Sequence, residues 1–240
     1  MSGFERAVKS QTKARVAFYG VGGSGKTMHA LTLARVLAGP DGTIALLDAE
    51  GGSAAKYADG FIFDHRVQRP PFHPQRVADA IRDAAAAGYA VFVADGISPY
   101  WSGSGGVLEI VDESKKRGGG WADGTPAHGK LINALLDAPI HVIFTVRAKS
   151  ETLVEKDANG KTIIRKVGLK PDTRDGLEYE VDALLYCDVA DNSITIEKTR
   201  IAKQLGIKIP VERGLEWSEG FKAWLDSGAP APVAWTPQTA

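Results

Sequence analysis

Residues 15–27 read RVAFYGVGGSGKT, a short β-rich apolar run that passes without a break into a glycine loop ending in Lys26-Thr27. An apolar run that stops at a glycine is what a buried strand looks like. Beyond the loop, Met28, Leu31, Leu33, Ala34, Val36 and Leu37 recur at helical spacing, and Gly39-Pro40 closes the helix. Strand, glycine loop and helix in that order are the context in which the pattern G-x-x-x-x-G-K-[ST], met here by Gly20 to Thr27, carries meaning. Glycines let the backbone wrap closely around phosphates, and the N–H groups of a loop and helix start carry partial positive charge towards the anion. The phosphate cradle is therefore expected to be Gly20, Val21, Gly22, Gly23, Ser24, Gly25, Lys26, Thr27 and Met28. Lys26 is placed to reach the β- and γ-phosphates of ATP, and Thr27 to ligate Mg2+.

Moving outward, a second apolar strand, Thr43 to Leu47, runs into Asp48-Ala49-Glu50. A helix is expected over His73–Ala87, and a third strand, Tyr89 to Ala94, ends in Asp95. Such alternation predicts an α/β fold, a mostly parallel sheet with helices on both faces. Residues 101–129 break the rhythm with many glycines and a basic KKR at 115–117, and read as a long, partly mobile element with one helical piece around Val107 to Lys116. A helix from Lys130 to Leu136 and a strand from Ile140 to Val146 follow. In 148–176 the Asn159-Gly160 pair is a two-residue turn signal, so the segment reads as a hairpin or flexible loop. Strands at Ala183–Tyr186 and Ser193–Glu197 close the sheet. The expected organisation is a polar arm over 1–13, one domain over 14–227 and a proline- and alanine-rich disordered tail over 228–240.

The 240 residues are 44% hydrophobic and 24% charged, enough apolar material for a real core. Lysine plus arginine (29) balances aspartate plus glutamate (29), so the overall field announces neither nucleic acid nor membrane, and DNA contact would need a local patch. Cys187 is the single cysteine, which excludes an internal disulfide and a cysteine-rich zinc site and suits a reducing, cytoplasmic setting. The N-terminus lacks the apolar core of a leader, and no stretch approaches the ~20 apolar residues of a membrane span. The histidines, His29, His65, His73, His128 and His141, show no metal-ligand spacing.

Acidic and basic residues at strand ends carry the remaining chemistry. Asp95, closing an apolar strand, is placed to hold the magnesium beside Thr27. ATP hydrolysis also needs a carboxylate that orients and deprotonates water, and Glu50 ends the second strand. Here LLDAEGGSAAKYA (46–58) resembles the strand-end D-A-E segment of RecA-type recombinase ATPases. That resemblance makes Glu50 the catalytic base and Asp48 a support for the loop. It also implies a RecA-like P-loop core, with a γ-phosphate sensor where HVIFTV ends, at Thr145 or Arg147. In ITIEKTRI the pair Lys198 and Arg200 resembles the Lys-x-Arg finger that RecA-like and hexameric-helicase ATPases extend to a neighbour's γ-phosphate, which implies a ring or filament.

The size of the chain, together with VGLKPDTRDGLEYEVDALLYCD followed by EKTR, is most similar to short phage-encoded RecA-like ATPases associated with single-strand annealing and recombination. That likeness implies host cytoplasm, a separate annealing or single-strand-binding protein as companion, and single-stranded DNA meeting 101–129 and 148–176. The second segment holds seven basic residues (Lys149, Lys156, Lys161, Arg165, Lys166, Lys170, Arg174) against five acidic ones, and Trp101 or Trp121 could stack on bases. Two other readings compete. A P-loop kinase would use 101–129 as a lid, yet that stretch contains only Arg117; an ATP-gated scaffold would bind nucleotide with negligible turnover. Partition ATPases of the ParA type would carry a signature lysine where Val21 stands.

Overall fold

The computed structural model describes residues 12–156 and 162–227. Residues 1–11 of the arm expected over 1–13, the Asn159-Gly160 turn, Lys161 and the tail over 228–240 lie outside the described residues. The chain begins with β1 (Arg15–Gly20), α1 (Lys26–Ala38), β2 (Ile44–Asp48), a 3-10 turn over Ser53–Tyr57, β3 (Asp64–Val67), α2 (Gln75–Ala86) and β4 (Val91–Asp95). It continues through α3 (Ser98–Ser102), α4 (Val107–Lys115), α5 (Trp121–Leu136), the long β5 (His141–Lys156) and β6 (Thr162–Pro171). The last elements are α6 (Leu177–Glu180), β7 (Ala183–Cys187), β8 (Ile194–Thr199), β9 (Lys208–Ile209) and α7 (Gly214–Asp226).

The strands form one sheet in the order β3-β2-β4-β5-β1-β7-β8-β9, with β6 paired to the outer half of β5. From β3 through β7 every neighbouring pair is parallel, whereas β8, β9 and β6 are antiparallel additions. The inner strands are near-continuous apolar runs because both faces are covered. Along β1, Val16 and Phe18 enter the core shared with Leu31 of α1 and Phe221 of α7, while Ala17 and Tyr19 enter the core shared with Val77 of α2 and Leu131 of α5. The sheet is thus sandwiched between two helical layers, as the alternation in the sequence predicts.

Because β1, β2, β4 and β5 point the same way, the loops leaving them open on a single edge, where ligands of parallel sheets bind. The opposite edge is tied by Arg15, a cation only 7% exposed. Its guanidinium donates to the carbonyls of Leu136 and Ile140, both at 2.9 Å, and to that of Ala138, securing the chain that leaves α5.

The stretch 101–129 departs from expectation, being helical over most of its length. Trp101, Val107 and Val111 form a small buried core that docks α4 on α5, and α5 starts at Trp121, not Lys130. Gly124, Pro126 and Gly129 in its first half obscure the helical pattern in the sequence. In 148–176 the hairpin reading holds: β5 continues outward to Lys156 and pairs antiparallel with β6, with a register shift at Glu151/Thr152. β3 carries no apolar signal because all of its residues are exposed at the sheet margin. Among the described residues no helix is long and apolar enough to cross a membrane.

Candidate nucleotide site

The loop between β1 and α1 turns through Gly23 and Gly25, whose φ angles of 81° and 80° are left-handed values that side-chain-bearing residues avoid. Inside the turn the Ser24 hydroxyl donates to Val21 O at 2.9 Å, and the Lys26 ammonium donates to the same carbonyl at 2.8 Å. Burial lowers the Lys26 pKa, partly offset by Cys187, Glu50 and Asp95. Met28 follows in the first turn of α1. The opposite wall of the loop is made by the β7–β8 turn, where the Asn192 side-chain amide donates to Gly23 O at 2.9 Å. His29, buried in α1, meets Asn192 O at 2.7 Å through its Nε2. Sequence reading missed Asn192; its one local signal is an Asp-Asn turn between two strands.

Asp95 ends β4 with 1% of its surface exposed. The Thr27 hydroxyl donates to it at 3.0 Å, and the Thr145 hydroxyl at 2.8 Å while itself accepting from Gly96 N at 2.7 Å. Burial pushes the Asp95 carboxyl up to about 6 against the opposing pull of these two hydroxyls. Thr145, read as a candidate γ-phosphate sensor, is 1% exposed and braces Asp95.

On the neighbouring strand, Asp48 is fully buried and accepts from Glu50 N at 2.7 Å and Ala54 N at 2.9 Å, so it fixes the loop that presents Glu50. The Glu50 carboxylate meets the Arg147 guanidinium in a two-pronged pair, with Nε to Oε1 at 3.0 Å and Nη2 to Oε2 at 2.7 Å. A Cβ on Gly96 would lie 2.7 Å from Glu50 Oε1, so the glycine leaves room for the carboxylate.

Lys26, Thr27, Glu50, Asp95, Thr145 and Arg147 line one cleft of about 580 Å³ over the glycine loop. Ser53, Lys56 and Tyr57 from the 3-10 turn complete its rim, and they lie in the very segment that points to Glu50. Among the described residues no three His, Cys, Asp or Glu side chains cluster as a metal cage. One hydroxyl beside one carboxylate instead fits a hard dication that keeps waters and takes phosphate oxygens, as Mg2+ does.

Lys198 and Arg200 are not in this cleft. β8 runs antiparallel, with Cys187 opposite Ile194 and Ala183 opposite Thr199, so the end of β8 descends to the level where β1 begins. There Lys198 donates to Val181 O, and Arg200 pairs with Asp182 at 2.7 Å. Their expected position at a strand end is correct, but that end lies at the edge opposite the P-loop.

The segments read as DNA contacts are also partly self-occupied. Trp101 is 8% exposed and stacks on Trp121 with ring centroids 6.1 Å apart, so it offers no free face to a base. Trp121 is 44% exposed, with the Arg174 guanidinium 5.2 Å from its ring centre. Lys149 pairs with Asp172 at 3.2 Å and Lys170 with Asp175 at 3.0 Å. Arg117 lies 3.9 Å from Asp123.

A family model described as an AAA domain matches residues 12–208, from just before β1 to the start of β9. No curated protein matches the chain.

Proposed function

The chain belongs to the AAA domain family, which makes it a P-loop ATPase-type protein, and from that premise we propose that it hydrolyses ATP in the service of DNA recombination or single-strand annealing. The observation that carries the hydrolytic part is the convergence of Lys26, the Thr27–Asp95 pair and Glu50 in one cleft. In the proposed reaction the Glu50 carboxylate accepts a proton from a water as its oxygen bonds the γ-phosphorus. The bond from that phosphorus to the β–γ bridging oxygen breaks, and ADP and phosphate leave. The Lys26 ammonium and the N–H groups of Gly22 to Thr27 stabilise charge on the β- and γ-phosphate oxygens. Thr27 and Asp95 would hold Mg2+, whose chemistry is to neutralise phosphate charge.

The partner part rests on position. The α3–α5 block and the β5–β6 hairpin follow β4 and β5 on the nucleotide edge, and the hairpin carries exposed Lys156 and Lys166. Single-stranded DNA there would be held through phosphates, with Trp121 the remaining aromatic candidate for stacking. A homo-oligomer would let Lys198 and Arg200 of one copy approach the cleft of the next. The kinase alternative loses support because 101–129 folds as docked helices and its single arginine is turned to Asp123.

Turnover should rise more than linearly with protein concentration, rise again with single-stranded DNA, and release phosphate to water; Glu50→Gln should abolish it. First-order rates per chain, indifferent to DNA and to Arg200→Ala, would refute the shared-site and DNA readings. Phosphate appearing on an acceptor would refute hydrolysis.

A further inference from the structure

The two margins of the sheet are finished differently. β3 closes one with the exposed polar residues Asp64, His65 and Arg66 before Val67, a composition that keeps a free edge from pairing with another chain. β9 closes the other, and the surface around it is apolar. Of the nine large apolar residues exposed among the described residues, Leu205, Ile207, Val211 and Leu215 all fall within 205–215. A sheet margin of this kind marks a surface that something covers.

Between β9 and α7 lies a groove of about 290 Å³, lined by Ile196, Gln204, Ile207, Ile209, Trp217 and Gly220 among others. Trp217 is only 9% exposed, yet its Nε1–H has no hydrogen-bond partner among the described residues, and neither has the buried Gln204 Oε1. Buried polar groups are nearly always paired, so this donor and acceptor call for a ligand that brings the complements, as a peptide's C=O and N–H do. Gly220 sits within α7, where glycine weakens a helix, and a Cβ there would meet nothing within 4 Å. A helix surface left bare in this way admits a second backbone closely. The charges at the rim are already paired, Lys208 with Asp191 and Arg213 with Glu216, each at 2.8 Å, so the occupant need carry none.

We propose that the groove is a binding site for an extended, uncharged, apolar peptide and that residues 228–240 of the same chain occupy it. That segment, GAPAPVAWTPQTA, has no charged residue and follows directly on α7, the helix that forms one wall. Trp217 lies about 15 Å back along the helix from Ser227, whereas the extended stretch from 228 to 235 spans up to about 26 Å. The reach suffices. Val233 and Trp235, two apart, fall on one side of an extended chain, and 233–236 keeps the N–H groups that Pro230, Pro232 and Pro237 lack. In the proposed arrangement Trp235 fills the groove beside Gly220, Val233 covers the apolar rim, and the main chain serves Trp217 Nε1–H and Gln204 Oε1. The β9 margin is thereby covered by the chain itself.

The test reads the five tryptophan indole N–H resonances of the full chain, assigned by single tryptophan-to-phenylalanine variants. Docking predicts that Trp235 resonates away from the free-indole position in the wild type and at that position in Gly220→Leu, whose new side chain fills the groove. In turn, Trp235→Ala should move the Trp217 resonance and leave those of Trp101 and Trp121, which stack on each other, where they are. This second readout stands whether or not Gly220→Leu folds. Trp235 at the free-indole position in the wild type, a Trp235 resonance alike in wild type and folded Gly220→Leu, or a Trp217 resonance unmoved by Trp235→Ala each overturns the proposal. Return of Trp235 to the free-indole position on dilution would overturn occupancy by the same chain, because the segment in the groove would then be a second copy's.

Discussion

Two pairs of basic residues lie at opposite edges of the sheet in this molecule, and they meet opposite fates. Lys26 and Arg147 lie at the carboxyl edge of the parallel sheet, one leading into α1 and the other leaving the buried part of β5, and both line the cleft. Lys198 and Arg200 stand at the end of an equally ordinary strand, yet they bond Val181 and Asp182 at the amino edge, level with Arg15. All four are lysine or arginine cations, and Arg147 and Lys198 both lie on strands. What differs is the direction in which the strand runs. A parallel strand delivers its last residues to the nucleotide; an antiparallel one, reached through a tight turn, delivers its first residues there and carries its last ones away.

The largest expected contrast comes from removing one cation at each edge. Lys26→Ala should lower turnover by about 10²–10³-fold, the loss typical of one fixed donor aimed at developing charge. Lys198→Ala should leave the nucleotide dissociation constant of the isolated chain unchanged. Steady-state hydrolysis with titration of a fluorescent ATP analogue measures both. A Lys198→Ala protein that lost nucleotide affinity as a monomer would break the comparison, since the amino edge would then be acting on its own subunit's site.

The cleft also depends on how its acid is braced, which sharpens the contrast at a smaller scale. Thr145→Val keeps the shape but removes the donor to Asp95 and the acceptor of Gly96 N, both buried. Leaving such groups unsatisfied costs about 1–3 kcal/mol, which urea unfolding should register. By contrast, Arg200→Ala breaks a solvent-facing pair and should cost at most about 1 kcal/mol. Equal losses would mean that the two edges are equally built, and the distinction would fail.

How much of this was legible follows the same division. The glycine loop, the strands that flank it and the two-faced sheet are written in neighbouring residues, because phosphate binding and burial both impose short-range patterns. Asp48 as support for the loop came with the resemblance of the D-A-E segment, and the folded chain supplies its reason, a buried carboxylate accepting from Glu50 N and Ala54 N. The direction of β8 was not legible, because it depends on pairing with β7 and, through it, with β1. Arg15 reads as a strand start, and only the folded chain brings the carbonyls of Leu136 and Ile140 to it. The first half of α5 was hidden by glycines and Pro126, whose helix is held by packing of Trp101 and Val111 in place of propensity.

Asn192 tests the near end of the β7–β8 unit, the part that does reach the nucleotide edge. Its φ of 53° is left-handed and its amide clasps Gly23 O. Asn192→Gly keeps the backbone comfortable and removes only the clasp, which should cost about 1 kcal/mol and loosen nucleotide binding several-fold. Asn192→Ala adds strain to the same loss and should be the less stable of the two. If Gly and Ala behave alike and nucleotide affinity holds, the turn is a connector and contributes nothing to the loop.

The smallest effect in the isolated chain is also the one that speaks to assembly. Arg200 donates through Nε to Asp182, and Asp182 also accepts Arg15 N at 2.9 Å, so the acid retains a partner when Arg200 is lost. Arg200→Ala should therefore leave folding and nucleotide affinity nearly untouched at low protein concentration. A residue so little needed by its own fold, half-exposed at the edge away from its own cleft, is free to serve a neighbour's. The reading requires that turnover of Arg200→Ala fall behind wild type only as concentration rises and copies associate, while nucleotide affinity stays level throughout. A deficit that is the same at every concentration would place the effect within one chain, and Arg200 would then be an ordinary surface partner of Asp182.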